Sequence, residues 1–476
     1  MSLRLGFAQP VFRLSCRGCK LHNVSRYSDT LKRYYATRAV QEKNVSSNAT
    51  PQPSTTTTTT PSSGSSEPLS SLFVTGATAQ TIPFAVDPYT EFAEYFTESY
   101  DLQTQLSARK ITMNVPQLAA AWQHLKELRM QKKKTEAFME AHRLQHASYA
   151  GDEHAYVDIL RSIREELKEF DKKISSVETR TVLDLFKIPT RLSQSVLEGK
   201  SDPVVVHVSE VEPKQSAKDL VQANYVEWTE NSPGGYFLKG PAAELEWHLI
   251  STSRRQLEEY QCIPLSGPNL VKSVILESLC VNLQNPEEAY MLGISKRNGA
   301  EYRSLFLTSL PLHIYTAYLA NGEYREGAPC VKFHHSGRIY KPQTHQGNGL
   351  QRLFYPSQTH CVSFCIGYED FDRTDEYFHQ AVDMLKKFYS ELRLPFRIMA
   401  QPAPALAAFE AARFDVEVWS VSQNSYIPCG FVSANNDFIS RRIRCQIGKS
   451  DDKFMYMIHG ALVNLTPLVA SYLEHY

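Results

Sequence analysis

The chain has 476 residues, 42% of them hydrophobic and 21% charged, and its 51 basic and 51 acidic side chains leave a formal net charge of zero. Such a length holds two or three domains and a large core, while zero net charge excludes a global field drawing the chain to nucleic acid and leaves that task to local patches. No run of about 18 apolar residues is present to span a membrane, and the nine cysteines form no pair of Cys-x-x-Cys motifs at zinc-ribbon spacing, which fits free thiols in a reducing compartment.

The first forty residues hold Arg4, Arg13, Arg17, Lys20, Arg26, Lys32, Arg33 and Arg38 against Asp29 alone, with Leu3, Leu5, Phe7, Val11, Phe12 and Leu14 as an apolar face. An ordinary basic tail carries the same charge, but the full pattern is that of a mitochondrial transit peptide, expected over residues 1–36 and implying the mitochondrial matrix. Residues 37–82 are rich in Ser, Thr and Pro, with six consecutive threonines at Thr55 to Thr60. Having almost nothing to bury, they are expected to be a disordered tether.

Residues 83–195 read as a helical arm. The stretch 87–96 suits a short amphipathic helix, and a long helix from 115 to about 146 turns Leu118, Trp122, Leu125 and Met139 inward. After a break at Tyr149 to Asp152, Val157, Leu160, Ile163, Leu167, Phe170, Ile174 and Val177 recur at spacings of 3, 3, 4, 3, 4 and 3. That is a heptad seam, and two such helices joined by a short turn fold back as an antiparallel coiled-coil hairpin. On its flanks Lys126, Arg129, Lys132, Lys133, Lys134, Arg143, Arg161 and Arg164 alternate with acids. A solvated helix face looks like this, and so does a rail for RNA phosphates.

Residues 196–476 read as one α+β domain. A β-branched run at 204–208 is followed by a helix carrying Leu245 and Leu249, then a strand over 261–271 with Pro268. Further on stand Leu307-Thr-Ser-Leu310-Pro311, Cys330-Val-Lys332-Phe-His334-His335-Ser336 and Gly349-Leu350-Gln351-Arg352. The end of the chain reads D-V-E-V-W-S-V-S-Q-N-S-Y from Asp415, D-F-I-S-R-R-I-R-C from Asp437 and H-G-A-L-V-N-L-T-P-L-V-A from His459. Alternating apolar residues there predict two or three strands followed by a helix.

In order and wording these phrases resemble the seryl-tRNA synthetases, class II aminoacyl-tRNA synthetases, and within them the non-catalytic seryl-tRNA synthetase-like mitochondrial proteins of insects. The resemblance runs from about Pro83 to the end. It implies a coiled-coil arm followed by an antiparallel sheet flanked by helices. It makes the arm a candidate tRNA-binding element, and places Leu245, Leu249 and Pro268 in the dimer interface of class II motif 1.

The same resemblance implies that the active site is degenerate. The acid that pairs with the serine ammonium falls on Leu310; the motif 2 arginine falls on Lys332 or His334 and its acid on His334 or Ser336. Pro356 replaces the adenine-stacking phenylalanine, His360 a terminal acid, Pro428 the magnesium-binding glutamate and Thr466 the motif 3 arginine. Arg352 and Glu417 are retained. Lysine still offers a point charge without the bidentate fork of arginine. Losing a hydrogen bond to a charged group costs roughly 1.5–3 kcal/mol, so four such losses predict at least about 10⁴-fold lower rates after allowing for non-additivity. His334, His335, His345, His360 and Cys361 form no compact ligand pair, so no metal is expected, and no P-loop, nucleophile elbow or dinucleotide fingerprint stands elsewhere.

The chain is therefore expected to be no enzyme and to need no cofactor. The leading expectation is an accessory subunit pairing with the mitochondrial seryl-tRNA synthetase and assisting tRNA binding. The alternatives are an RNA-binding or regulatory homodimer in organelle gene expression, and an active serine–tRNA ligase using unusual residues.

Overall fold

A computed structural model describes residues 70–73, 86–97, 101–147, 153–214, 224–229, 231, 235–297, 300–328, 330–342 and 351–476. The expected transit peptide, most of the tether, and the loop holding His345, Gly349 and Leu350 lie outside the described residues.

The arm begins with α1 (Leu102–Ala108), whose first turn is capped by the Asp101 carboxylate accepting from the Thr104 amide at 3.0 Å. Helices α2 (Val115–Ala147) and α3 (Glu153–Leu185) then run antiparallel, as the seam requires. Trp122, Leu125 and Leu128 of α2 and Leu160, Ile163 and Ile174 of α3 are buried. Val157 is 46% exposed, and toward the tip of α2 Phe138 and Leu144 stand outward too. The seam therefore closes at Leu160, one step later than its spacing predicts. The two helices differ in charge, with six basic and three acidic residues in α2 against six and eight in α3.

The stretch 87–96 is extended except for a single 3₁₀ turn at Ala93–Phe96. Tertiary contacts override its helical periodicity. The Tyr89 amide donates to the Arg441 carbonyl at 2.8 Å, the Tyr89 ring packs on Phe454, and Phe92 packs edge-on against both Trp122 and Phe186. A belt thus cements the base of the arm to the body. Ser70–Phe73, which falls within the expected tether, is likewise docked on the body.

After α4 (Gln194–Leu197), the body contains β1 (Val204–Val208), the hairpin β2 (Val226–Trp228) and β3 (Tyr236–Leu238), and α5 (Pro241–Glu259). The expected strand over 261–271 is two short pieces, β4 (Ile263–Pro264) and β5 (Leu270–Lys272), separated by the Ser266-Gly267-Pro268 bend. Next come α6 (Ser273–Ser278), β6 (Met291–Arg297), β7 (Ala300–Leu307), α7 (Leu312–Leu319), β8 (Glu323–Tyr324), β9 (Val331–Tyr340), α8 (Gln351–Phe354), β10 (Gln358–Tyr368) and α9 (Thr374–Glu391). The chain ends with β11 (Phe396–Ala400), β12 (Ala412–Ser420), β13 (Ser425–Asn436), α10 (Phe438–Ile443), β14 (Gln446–Ile447), β15 (Tyr456–Asn464) and α11 (Leu465–His475). Of the three C-terminal phrases, the middle one forms helix α10.

Eight strands make the central sheet in the order β1-β11-β12-β13-β15-β10-β9-β4, antiparallel except where β4 joins β9. Side chains alternate between the two faces of the sheet, so one face buries Val362, Phe364, Val416, Val418, Val432 and Leu462 against Leu249 of α5, Leu385 of α9 and Leu468 of α11. On the other face α6, α7 and α10 cover Phe333, Cys365 and Met457. They leave Arg413, Asp415, Glu417 and Phe431 half-buried along an open stretch.

Candidate functional site

Sheet register decides which side chains share a site. His335 opposes Ser363, Ser363 opposes Ala461, Ala461 opposes Phe431 and Phe431 opposes Asp415, so these five lie in one row on the open face. Glu417 opposes Pro428 on the same face. Lys332, His334, Ser336 and His360 point to the opposite, helix-covered face. There His334 Nε2 lies 3.7 Å from Glu258 of α5, with burial lowering its pKa, and Ser336 Oγ lies 2.8 Å from His360 Nε2. Burial, aided by Arg338 and His335, pushes His360 down to about 4.

The positions inferred from the family phrases therefore do not converge. A slip of one residue turns a side chain to the other face. The residues of β9 and β10 that do share the open stretch are His335, Gly337 and Ile339, and Thr359, Cys361 and Ser363. None of these is an arginine, a lysine or a carboxylate.

The open face is filled from within. Ile339, Cys361 and Ala461 form a small apolar cluster with Phe431 packed on it. The Arg413 guanidinium lies 4.5 Å above the Phe431 ring, with Nε 2.6 Å from Asp415 and Nη1 3.3 Å from the buried Glu410. Behind Phe431, His459 meets its ring at 5.3 Å and bonds through Nδ1 to Asn435 Oδ1 at 2.8 Å. Burial, with Arg413 nearby, pushes the His459 imidazole down to about 3 and keeps it neutral. Toward β9, the Tyr315 hydroxyl of α7 bonds Ser363 Oγ at 2.9 Å, and Ser363 donates onward to the His335 carbonyl at 3.3 Å. A Cβ on Gly337 would lie 2.5 Å from His335 Nε2, so glycine is what lets that ring fold across the strand.

Thr466 is buried in the first turn of α11, where its hydroxyl meets the Tyr236 hydroxyl at 2.6 Å and its amide donates to Thr359 Oγ1 at 3.2 Å. Leu310 is half-buried ahead of α7, packed against the core that includes Phe333, and Pro356 is half-buried ahead of β10. Both retained charges have internal partners: Arg352 stacks at 5.9 Å on Trp228, and Glu417 accepts from Arg397 Nε at 2.7 Å. Phe431, Arg413 and Tyr236 were not singled out from sequence. Strand parity along β12 relates Arg413 to Asp415, whereas Phe431 and Tyr236 are placed only by register and tertiary packing.

On the arm, Arg129 pairs with Glu178 at 2.7 Å, Lys132 with Asp171 at 2.7 Å, Arg143 with Glu140 at 3.4 Å and Arg161 with Asp158 at 3.7 Å. Lys126, Lys133, Lys134 and Arg164 have no ion pair among the described residues. Of the three proposed interface residues, Leu249 is 2% exposed and belongs to the chain's own core, Leu245 packs half-buried beside it, and Pro268 is exposed. The apolar side chains that face outward around them are Trp247 at 66%, Ile263 at 57% and Leu270 at 48% exposed.

Residues 314–476 match the family model of the tRNA synthetase class II core domain (G, H, P, S and T), so the chain carries a class II tRNA synthetase core. Its fold is that of the seryl-tRNA synthetases: the cytoplasmic serine–tRNA ligase of Naegleria fowleri, solved in complex with AMP, matches with a TM-score of 0.67 at 15% identity, covering 82% of this chain and 94% of that one. Among individual proteins, the chain is similar to the serine–tRNA synthetase-like protein Slimp of Drosophila melanogaster, 22% identical over 429 residues that cover 86% of this chain and 89% of that protein. It is also similar to the mitochondrial serine–tRNA ligase of Bos taurus, 21% identical over 391 residues covering 76% and 74%.

Proposed function

We propose that this chain is a non-catalytic seryl-tRNA synthetase paralogue of the mitochondrial matrix, an accessory subunit that pairs with the mitochondrial seryl-tRNA synthetase and assists tRNA binding. The observation that carries the non-catalytic part is the filled open face. Phe431, Ile339, Cys361 and Ala461 occupy the middle of the sheet where side chains from four strands would have to meet a substrate, and the cations and carboxylates around them are paired with one another. Electrostatic stabilisation of a reacting phosphate needs donors aimed into open space, and this face offers an aromatic ring instead.

Pairing is supported by the exposed Trp247 of α5, Ile263 of β4, the edge strand of the central sheet, and Leu270 of β5. An unpaired edge strand next to apolar side chains is a ready docking element. The tRNA part rests on Lys126, Lys133 and Lys134 of the basic helix α2. The matrix location rests on the basic, acid-poor first forty residues.

Mass photometry of the chain, alone and mixed with the mitochondrial seryl-tRNA synthetase of the same organism, tests the partner, and serine-dependent ATP–pyrophosphate exchange tests the chemistry. A mixed dimer with background exchange is expected. A self-pair that ignores the synthetase would move the reading to an RNA-binding or regulatory homodimer, and exchange by the chain alone would overturn the non-catalytic reading.

A further inference from the structure

Four residues at the end of the Ser/Thr/Pro-rich tract are held on the body by one carboxylate. Glu277 of α6 accepts from Ser70 Oγ at 2.6 Å, from the Ser71 amide at 3.0 Å to each oxygen, and from the Leu72 amide at 3.1 Å. Ser70 Oγ in turn accepts from the amides of Leu72 at 3.2 Å and Phe73 at 3.3 Å, closing a turn over the carboxylate. Ser71 Oγ lies 2.6 Å from Ser273 Oγ. Successive backbone N–H groups around an anion form a nest, and bonds to an ionised acceptor are the stronger class of hydrogen bond.

The same four residues reach the arm. Leu72 is 3% exposed in the core shared by arm and body, and the Phe73 ring meets the Phe186 ring edge-on at 6.2 Å. Phe186 directly follows α3 and is itself a junction. It meets Phe92 edge-on, and its carbonyl accepts from Arg442 Nη2 of α10 at 2.8 Å and from Cys280 Sγ at 3.4 Å. A cavity of about 950 Å³ lies beside the strap, lined by Arg180 and Leu183 of the arm and by Cys280 and Asn282 of the body. Ser70–Phe73 thus bridges the two sides of the joint.

We propose that Ser70–Phe73 is a latch, an N-terminal strap docked in a groove of its own chain, and that its docking fixes the arm against the body. Glu277 supplies one half of the latch and Phe186 the other. Release of the strap removes the Phe73–Phe186 contact and loosens the end of α3. This goes beyond the accessory-subunit reading and stands or falls separately from it.

Hydrogen–deuterium exchange of the full chain tests the latch. In the unaltered protein the Ser71 and Leu72 amides are expected to exchange at least about a hundredfold slower than an unstructured chain. Glu277→Gln is expected to speed those amides about tenfold or more and the amides of residues 183–188 severalfold, with strand residues 427–434 unchanged. Phe73→Ala cuts the arm contact alone and is expected to speed 183–188 with a smaller effect on Ser71. Exchange of Ser71 and Leu72 at the unstructured rate in the unaltered chain would overturn the latch. So would unchanged 183–188 in both variants, or equal acceleration of 427–434, which would make the strap an ordinary part of the core.

Discussion

The Tyr236 hydroxyl lies 2.6 Å from Thr466 Oγ1, and this contact closes the position that the family resemblance assigns to the motif 3 arginine. Tyr236 comes from the β2–β3 hairpin and Thr466 from the first turn of α11, so two elements far apart in sequence seal one corner. Thr466 is 1% exposed, and burial raises the Tyr236 pKa, with the Thr466 bond as the largest opposing cause. Restoring the arginine alone would therefore not restore a site. Thr466→Arg is expected to place a guanidinium where a threonine fits, costing about 2–4 kcal/mol through overpacking and an unpaired buried charge. Urea unfolding measures this loss, and serine-dependent ATP–pyrophosphate exchange by the variant is expected to stay at background.

Two fully buried imidazoles contribute to the acid limb of stability. His313 and His459 are both pushed down to about 3 from the ordinary 6.5, His313 by burial and His459 by burial with Arg413 nearby. His313 Nδ1 accepts from the Ser309 amide at 3.3 Å, a bond that protonation of that nitrogen would remove. Because the folded-state values lie below the unfolded ones, the unfolded chain binds more protons between about pH 6.5 and 3. Stability is then full above pH 6.5 and falls as pH drops, by about 1.4 kcal/mol per unit for each group. The chain is expected to lose about 3–4 kcal/mol from these two residues between pH 6.5 and 5. His459→Asn, compared with the unaltered chain in urea at both pH values, should show about half that dependence.

How much of this was legible depends on the length scale of each signal. The arm helices follow from residues three and four apart, which is why Leu125, Leu160 and Ile174 are buried as their spacing predicts. The 87–96 stretch failed because Tyr89 and Phe92 find partners in Phe454, Trp122 and Phe186, none of them local. The degenerate positions failed in a different way. Strand period two turned a one-residue uncertainty at Lys332, His334, Ser336 and His360 into the opposite face of the sheet. Phe431 was invisible for the same reason. Its role depends on the register of β13 against β12 and β15, which no local pattern encodes.

The arm makes a quantitative prediction for RNA. Lys126, Lys133 and Lys134 have no ion pair among the described residues and sit on the basic helix α2, whereas Arg161 pairs with Asp158 on the acidic helix α3. The triple variant Lys126→Ala, Lys133→Ala, Lys134→Ala is expected to weaken tRNA binding and to flatten the plot of log affinity against log salt by about 2–3, at roughly 0.7–0.9 for each phosphate that is no longer neutralised. Arg161→Ala is expected to change that slope little. A salt titration of fluorescence anisotropy distinguishes the two, and an unchanged slope in the triple variant would remove the arm from the RNA-binding account.

The partner surface separates cleanly from the core it sits on. Leu249 and Trp247 are two residues apart on α5, yet one is 2% and the other 66% exposed. Leu249→Ala deletes buried methyl groups from the main core and is expected to cost about 2–5 kcal/mol, lowering the urea midpoint while leaving the assembled mass unchanged at temperatures where the chain stays folded. Trp247→Glu, alone or with Ile263→Asp, puts charge on the outward face. It is expected to change the unfolding free energy by less than about 0.5 kcal/mol and to convert dimers to monomers in mass photometry, because a buried unpaired carboxylate opposes association by several kcal/mol. Dimers that survive both outward substitutions would mean that pairing uses another surface, with the exposed edge strand β1 and its Val204, Val205, Val206 and Val208 as the next place to substitute.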